Sequence, residues 1–164
     1  MISVWRIATD APGYTADDLG GAGAKLSGGR WNRPGNAMLY CATNISLAVL
    51  ETFNHIKAGG LPLNRYLVEL SIPDAVWGRA RRLDAPPVGW DAIPAGKVSL
   101  DAGDGWLKAN TGALILVPSV IVNEEFNVLV NPAHPDARLI TARKVRKWSY
   151  DPRLTLGSSC RIPA

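Results

Sequence analysis

The apolar residues of this chain come in short runs, and this feature constrains the fold more than any other. Three runs lie close together, at 113–117 (ALILV), 120–122 (VIV) and 126–130 (FNVLV), and are separated by Pro118-Ser119 and Asn123-Glu124-Glu125. Apolar runs of this length between turn-forming residues are typical of buried β-strands. We therefore expect these three segments to form the centre of a sheet.

Other segments complete the expected sheet. Residues 3–8 (SVWRIA), 37–42 (AMLYCA) and 66–72 (YLVELSI) are rich in the β-branched and aromatic residues that strands favour. We expect residues 138–141 and 145–148 to complete the core. Together these segments predict an α+β fold with a mostly antiparallel or split sheet.

Two segments have helical features. From residue 44 to residue 57 the apolar side chains recur at helical spacing, with Thr43 or Asn44 as the expected cap. We expect Glu51, in the middle of this helix, to point to or beside its buried face. Residues 99–110 form a second expected helix, although they contain two glycines.

The remaining segments are expected to be connections. Residues 11–36 are rich in glycine and other turn-forming residues and predict a long irregular loop, and residues 84–98 contain three prolines. Long ordered loops in compact domains are often functional.

Length and composition bound the class of protein. A chain of 164 residues with 47% hydrophobic and 20% charged residues is expected to form one domain, spanning residues 1–164. It has no apolar run of about 18 residues and no secretion signal, so we expect a cytoplasmic protein without a membrane span. Two cysteines, Cys41 and Cys160, are too few for a disulfide framework or a zinc cage.

The charge is concentrated at one end. Residues 138–164 hold seven basic side chains and one acid, within a net charge of +4. Such a segment either contacts nucleic acid or an acidic partner, or forms a solvated face, and we favour the solvated face.

The common catalytic motifs of hydrolases, phosphate-binding loops and zinc proteases are absent from the sequence. Of the two histidines, His134 lies in a turn-rich segment, which favours a structural role, and His55 is interpreted as a surface residue near Glu51. Five polar residues in apolar surroundings remain as candidates for a functional site: Arg6, Arg30, Tyr40, Glu51 and Ser119. For each of them a structural role is the alternative.

The context of these residues resembles the RES-domain family, which is named for an arginine, a glutamate and a serine. Arg30, Glu51 and Ser119 occupy the matching positions, and the resemblance runs from about residue 4 to about residue 140. Phe126 departs from the pattern, since the family often has arginine there. The resemblance rests on GGRWNRPG (28–35), LYCA (39–42), SLAVLE (46–51), VPSVIV (117–122) and EEFNVLVNPAHP (124–135), with WRI (5–7) before them.

The resemblance implies a fold related to ADP-ribosyltransferases, with a split, mostly antiparallel sheet and a few flanking helices. It further implies a toxin that is paired with an Xre-type helix-turn-helix antitoxin. Most such toxins deplete cellular NAD by cleaving the nicotinamide–ribose bond, and some attach ADP-ribose to a protein instead. NAD would be the substrate, with no metal or resident cofactor.

The chemistry of NAD cleavage assigns expected roles. Glu51 would stabilise the positive charge that develops on the ribose, with Arg6 or Arg30 keeping it ionised. Arg30, and secondly Arg6, would bind the diphosphate. Tyr40 would pack against nicotinamide or ribose, while Ser119 and Asn127 would bond ribose hydroxyls or the carboxamide.

Three functions stay open at this point. The expected function is a toxin that depletes NAD by hydrolysis or phosphorolysis and so arrests growth. The alternatives are a mono-ADP-ribosyltransferase that modifies a protein and a non-enzymatic module that binds nucleic acid through the basic segment. We do not expect direct nucleic-acid binding, because that function would leave the RES-like blocks unexplained.

Overall fold

A computed structural model of the chain describes residues 1–53 and 62–155. Within them, one sheet of seven strands is flanked by short helices. The strands are β1 Ile2–Ala8, β2 Leu39–Ala42, β3 Tyr66–Ile72, β4 Arg81–Arg82, β5 Leu114–Pro118, β6 Phe126–Val130 and β7 Thr141–Lys147. The α-helices are α1 Ala22–Ser27, α2 Ile45–Phe53, α3 Asp74–Trp77 and α4 Lys97–Ala109, and the 3₁₀ helices are Pro135–Leu139 and Pro152–Thr155.

The strand order is β4-β5-β6-β2-β1-β3-β7. Every neighbouring pair is antiparallel except β4 and β5, which are parallel. The predicted α+β class with a mostly antiparallel sheet is therefore confirmed. The described part of the chain contains no helix long and apolar enough to cross a membrane.

Strands β5 and β6 are mostly apolar because both of their faces are covered by core residues. Leu114 and Val128 belong to one core cluster, whereas Ile115 and Leu129 belong to a second cluster with Trp106 of α4. Neighbouring residues of a strand point to opposite faces, so a strand buried on both sides has no polar alternation. Each such leucine contributes about 1.5–3 kcal/mol when it is fully buried.

Helix α2 packs on the central strands and carries Glu51. Leu47 and Ala48 are buried against Ala42 of β2, with Trp5 of β1 beside them. Asn44 caps the helix as predicted, since its Oδ1 accepts a hydrogen bond from the Leu47 amide at 2.8 Å. The rest of the predicted helix, to residue 57, lies outside the described residues, and so does His55.

One predicted strand and one predicted loop are corrected by the structure. Residues 120–122 do not form a strand, because the Ser119 hydroxyl accepts from the amides of Ile121 and Val122 and turns the chain. The predicted loop 11–36 contains α1, which lies between Gly21 and Gly28, both with positive φ. The glycines that indicated a loop are the residues that begin and end this helix.

The segments expected to complete the core do so only in part: Ile140 is buried in the main core cluster, but β7 forms an edge of the sheet. Residues 138 and 139 belong to a 3₁₀ helix, and β7 is largely exposed because it has only β3 as a neighbour. Val145 is 38% exposed. The basic side chains that dominate β7 can stay hydrated there, and charged edge strands resist edge-to-edge association.

Candidate functional site

A cavity of about 440 Å³ lies beside β1 and β2, between the first turns of the chain and α2. Its volume is within the usual range for small-molecule sites. It brings together five of the six predicted site residues: Arg6, Arg30, Tyr40, Glu51 and Asn127. Ser119, the sixth, is fully buried and is not part of the cavity wall.

The Glu51 carboxylate is held in place through one of its oxygens. Its Oε1 accepts hydrogen bonds from Ser119 Oγ and from Asn127 Nδ2, both at 2.6 Å. The described residues give Oε2 no hydrogen bond. The carboxylate therefore lies at the cavity with a fixed orientation and with one oxygen free to face a developing positive charge.

Ser119 acts on Glu51 from behind the cavity wall. Its hydroxyl donates to Glu51 and accepts from the Ile121 and Val122 amides at 3.0 and 3.2 Å. Its position at the end of β5 brings the hydroxyl to α2 across 68 residues of sequence. The geometry thus gives Ser119 a positioning role, where the sequence predicted a contact with ribose or the carboxamide.

Glu51 has no arginine partner among the described residues, contrary to the expectation that Arg6 or Arg30 would keep it ionised. The hydrogen bonds to its carboxylate come instead from the neutral side chains of Ser119 and Asn127. Arg30 Nη1 instead donates to the carbonyls of Trp90 and Ala92, at 3.0 and 2.8 Å. Arg30 therefore ties the 28–35 segment to the connection before α4 while it lines the cavity.

Tyr40 lies on β2 with its hydroxyl directed into the protein. The hydroxyl donates to Asn32 Oδ1 at 2.7 Å and accepts from the Trp31 amide at 3.0 Å. Burial raises the pKa of Tyr40 above its ordinary value, so the group stays neutral near pH 7. Its ring contributes to the cavity wall, but its only proton is already committed to Asn32.

Glycine at position 29 is required by this ring. A Cβ there would lie 2.6 Å from the Tyr40 hydroxyl oxygen, closer than packed atoms approach. The glycine-rich approach expected to bring the backbone near a ligand is thus also a packing requirement against Tyr40.

Most of the 28–35 segment supports the site without lining it. Asn32 is fully buried and donates to the carbonyls of Ala24 and Asn36, at 2.9 and 2.8 Å. Arg33 pairs with Asp101 and Asp104 of α4 at 2.6 and 2.8 Å. These supporting roles were not predicted from the sequence, because they depend on contacts with α1 and α4 that the segment itself does not reveal.

The contact with Arg33 affects the pKa of Asp104 in α4. Burial of Asp104 favours its neutral form, but the hydrogen bonds from Arg33 and Asn36 outweigh it, and the pKa of Asp104 lies below its ordinary value. Asp104 is therefore ionised at neutral pH and links the segment to α4.

Two other predictions concern metal ligands and histidine. The described residues contain no group of three or more histidine, cysteine or acidic side chains that could hold a metal ion. His134 accepts a hydrogen bond from the Asp136 amide at 3.2 Å and caps a 3₁₀ helix, which confirms its structural role.

Comparisons with known proteins agree with this arrangement. A model of one protein family, described as RES domain, matches residues 3–153. The chain is 61% identical over 155 residues to a Sphingobium protein named "Prs ADP-ribosylating toxin", covering 93% of this chain and 96% of the relative. It is 34% identical over 142 residues to a Yersinia enterocolitica protein named "Toxin Res", covering 86% and 93%. A "Toxin Res" from Pseudomonas putida is 32% identical over 153 residues, covering 92% and 98%. The chain therefore belongs to the RES-domain family of toxins.

Proposed function

We propose that this toxin is an ADP-ribosyltransferase that transfers ADP-ribose from NAD to the protein Prs. The observation that carries the proposal is the 61% identity, over 93% of the chain, to the relative named as a Prs ADP-ribosylating toxin. Identity at this level over almost the full length of both chains supports a common reaction and a common acceptor.

The geometry of Glu51 supports cleavage of the nicotinamide–ribose bond. When this bond breaks, positive charge develops on the ribose, and a nearby carboxylate stabilises that state more than the uncharged ground-state sugar. Glu51 lines the cavity with its Oε1 already fixed by Ser119 and Asn127. A carboxylate that is oriented before substrate binds loses little free energy to reorganisation in the reaction.

The cavity also offers groups for the rest of NAD. Arg6 and Arg30 both line it, and a guanidinium group binds phosphate oxygens with a planar fork of donors. The Tyr40 ring provides a flat surface for nicotinamide or ribose. Asn127 donates from Nδ2 to Glu51, and its side-chain carbonyl oxygen is available to accept from a ribose hydroxyl or the carboxamide.

The reaction balances without a further reagent. The bond between ribose C1′ and the nicotinamide nitrogen breaks, and both electrons leave with nicotinamide, which becomes neutral. A nucleophilic atom of the acceptor bonds to C1′ and releases its proton to solvent. NAD is thus the substrate, and the proposal assigns no resident cofactor or metal.

NAD depletion is the second candidate, with water or phosphate as the acceptor and growth arrest as its consequence. The solvent-open mouth of the cavity favours it, because small acceptors can reach the ribose directly. Two of the "Toxin Res" relatives, at 34% and 32% identity, carry no acceptor in their names.

We further propose a protein partner that blocks this activity. A cell that produces an NAD-consuming toxin needs such a partner, and we expect an Xre-type helix-turn-helix antitoxin that covers the cavity. In this proposal the toxin acts in the cytoplasm and does not bind nucleic acid directly.

The ratio of the two products tests transfer against hydrolysis. Purified toxin would be incubated with NAD labelled in its adenosine part, with and without Prs, and both labelled protein and free nicotinamide would be counted. Transfer predicts one label on Prs for each nicotinamide released and little release without Prs. Rapid release of nicotinamide without Prs, with the label in free ADP-ribose, would contradict transfer and favour NAD depletion.

A further inference from the structure

Several arginines away from the cavity are paired with carboxylates. Arg33, Arg82 and Arg143 each form an ion pair with a carboxylate, at 2.6 Å. Within the described residues, no carboxylate pairs with the three arginines of the cavity wall, which are Arg6, Arg30 and Arg65. These guanidinium groups are thus available to an anion that enters the cavity.

Arg65 has not been given a role so far, and its backbone is firmly held. Its carbonyl accepts from the Trp148 amide at 2.8 Å, and the preceding side chain, Asn64, donates to the Asp10 carbonyl at 2.7 Å. The following residue, Tyr66, pairs with Ala8 at the end of β1. The root of the Arg65 side chain is therefore fixed beside the part of β1 that lines the cavity.

The guanidinium group of Arg65 is largely uncommitted. Among residues 1–53 and 62–155, its one hydrogen bond is a long one of 3.4 Å from Nη1 to the neighbouring Asn64 carbonyl. Arg30, by comparison, already uses its Nη1 on two carbonyls at 3.0 and 2.8 Å. Arg65 and Arg6 thus retain more donors for a ligand than Arg30 does.

The charge of the cavity wall fits a ligand with more than one negative charge. Three arginines line it, against the carboxylates of Asp18 and Glu51. If Glu51 is reserved for the ribose, the remaining wall is strongly cationic and matches a diphosphate. We propose that Arg65 is a further NAD-binding residue that holds the diphosphate together with Arg6. This inference rests on the proposed use of NAD.

Calorimetric titration with ADP-ribose, which contains the diphosphate but no nicotinamide, measures the contribution of Arg65 to binding directly. We expect Arg65→Ala to weaken ADP-ribose binding about 10- to 100-fold, the usual effect of losing charge-assisted hydrogen bonds. Arg65→Lys should lie between the wild type and Arg65→Ala, because it keeps the charge but loses the fork. Inhibition by free nicotinamide should stay within about 2-fold in both variants.

Arg143→Ala is the matched control. It removes the same charge from β7, where Arg143 is exposed and paired with Glu69, and it should leave ADP-ribose binding unchanged. Unaltered ADP-ribose affinity in Arg65→Ala, or equal weakening in Arg143→Ala, would overturn the proposed role. Loss of nicotinamide inhibition together with ADP-ribose binding in both Arg65 variants would also overturn it, since that pattern indicates a general disruption of the cavity.

The ADP-ribose titrations and the labelling of Prs together separate this inference from the proposed function. Wild-type protein that binds ADP-ribose through Arg65 but does not label Prs would contradict the acceptor and leave the role of Arg65 intact. Wild-type protein that labels Prs while Arg65→Ala binds ADP-ribose normally would contradict Arg65 alone.

Discussion

At the residue scale, the Ser119 hydroxyl links the end of β5 to the carboxylate of α2. It is buried, and its hydrogen bond to Glu51 is one of two that fix Oε1. We expect Ser119→Ala to lower kcat for nicotinamide release about 10-fold or more, because the carboxylate loses a donor and gains freedom to rotate. Ser99→Ala, which removes a buried hydroxyl from α4, should keep the wild-type kcat. Equal activity of the two variants would contradict the positioning role of Ser119.

Tyr40 gives a second prediction at this scale. Tyr40→Phe leaves Asn32 Oδ1 and the Trp31 amide without their partner, which we expect to lower the free energy of unfolding at pH 7 by about 1–3 kcal/mol. Nicotinamide release should stay within several-fold of the wild type, because the hydroxyl is not offered to the substrate. A loss of activity far greater than this in a folded variant would assign the hydroxyl a direct role.

The pH dependence of stability checks the same residue. The pKa of Tyr40 is raised in the folded state, so its favourable contribution is complete below the unfolded value of about 10 and is lost as pH rises above it. The stability difference between the wild type and Tyr40→Phe should therefore shrink in urea unfolding measured from pH 9 to pH 11. A constant difference over this range would contradict the raised pKa.

Individual residues also show which parts of the site could be predicted from the sequence. The motif pattern placed Arg6, Tyr40 and Glu51 in one site, and the structure brings them to one cavity. The burial of Ser119 and the approach of Arg65 were not predictable, because both depend on contacts between segments far apart in sequence. An isolated arginine before a strand carries no signal of its own.

At the element scale, α4 contains two glycines with opposite roles. Gly103 is buried, and a Cβ there would lie 1.8 Å from the Trp31 carbonyl oxygen, whereas a Cβ on exposed Gly105 meets nothing within 4 Å. We expect Gly103→Ala to destabilise the protein by about 1–3 kcal/mol through overpacking, and Gly105→Ala to stabilise it by about 0.5–1 kcal/mol. Denaturant unfolding of the two variants measures both effects. Similar stability changes in the two would contradict the close approach of α4 to the 28–35 segment.

Helix α4 spans Lys97–Ala109, close to the predicted 99–110, although it contains these two glycines. Helix propensity alone counts them as unfavourable, yet the structure uses Gly103 to let the helix approach Trp31 closely. The prediction was wrong at 120–122, where three apolar residues predicted a strand but the Ser119 side chain turns the backbone. The contact of Gly103 with Trp31 joins segments far apart in sequence, whereas the turn after Ser119 is a local effect of one side chain on the backbone.

At the scale of the whole molecule, the sheet order brings the site together. Strand β2 lies between β6 and β1, so Tyr40, Asn127 and Arg6 come from three adjacent strands although they are distant in sequence. The sequence predicted the sheet and its antiparallel character, but not the order of its strands. Short apolar runs of similar composition carry little information about which run pairs with which.

The charge distribution also becomes clear at this scale. Much of the basic C-terminal segment lies on β7, where Arg143 pairs with Glu69 and Lys144 pairs with Asp10, at 2.6 and 2.7 Å. Arg146 packs over the Trp148 ring. This pattern agrees with a solvated edge of the sheet.

Nicotinamide release by the wild type and by Glu51→Gln tests the central claim that this cavity cleaves NAD through Glu51. The substitution keeps the size of the side chain and removes its charge. We expect it to lower turnover at least about 100-fold, with thermal unfolding and ADP-ribose affinity close to those of the wild type. A Glu51→Gln protein that releases nicotinamide at the wild-type rate would contradict the account.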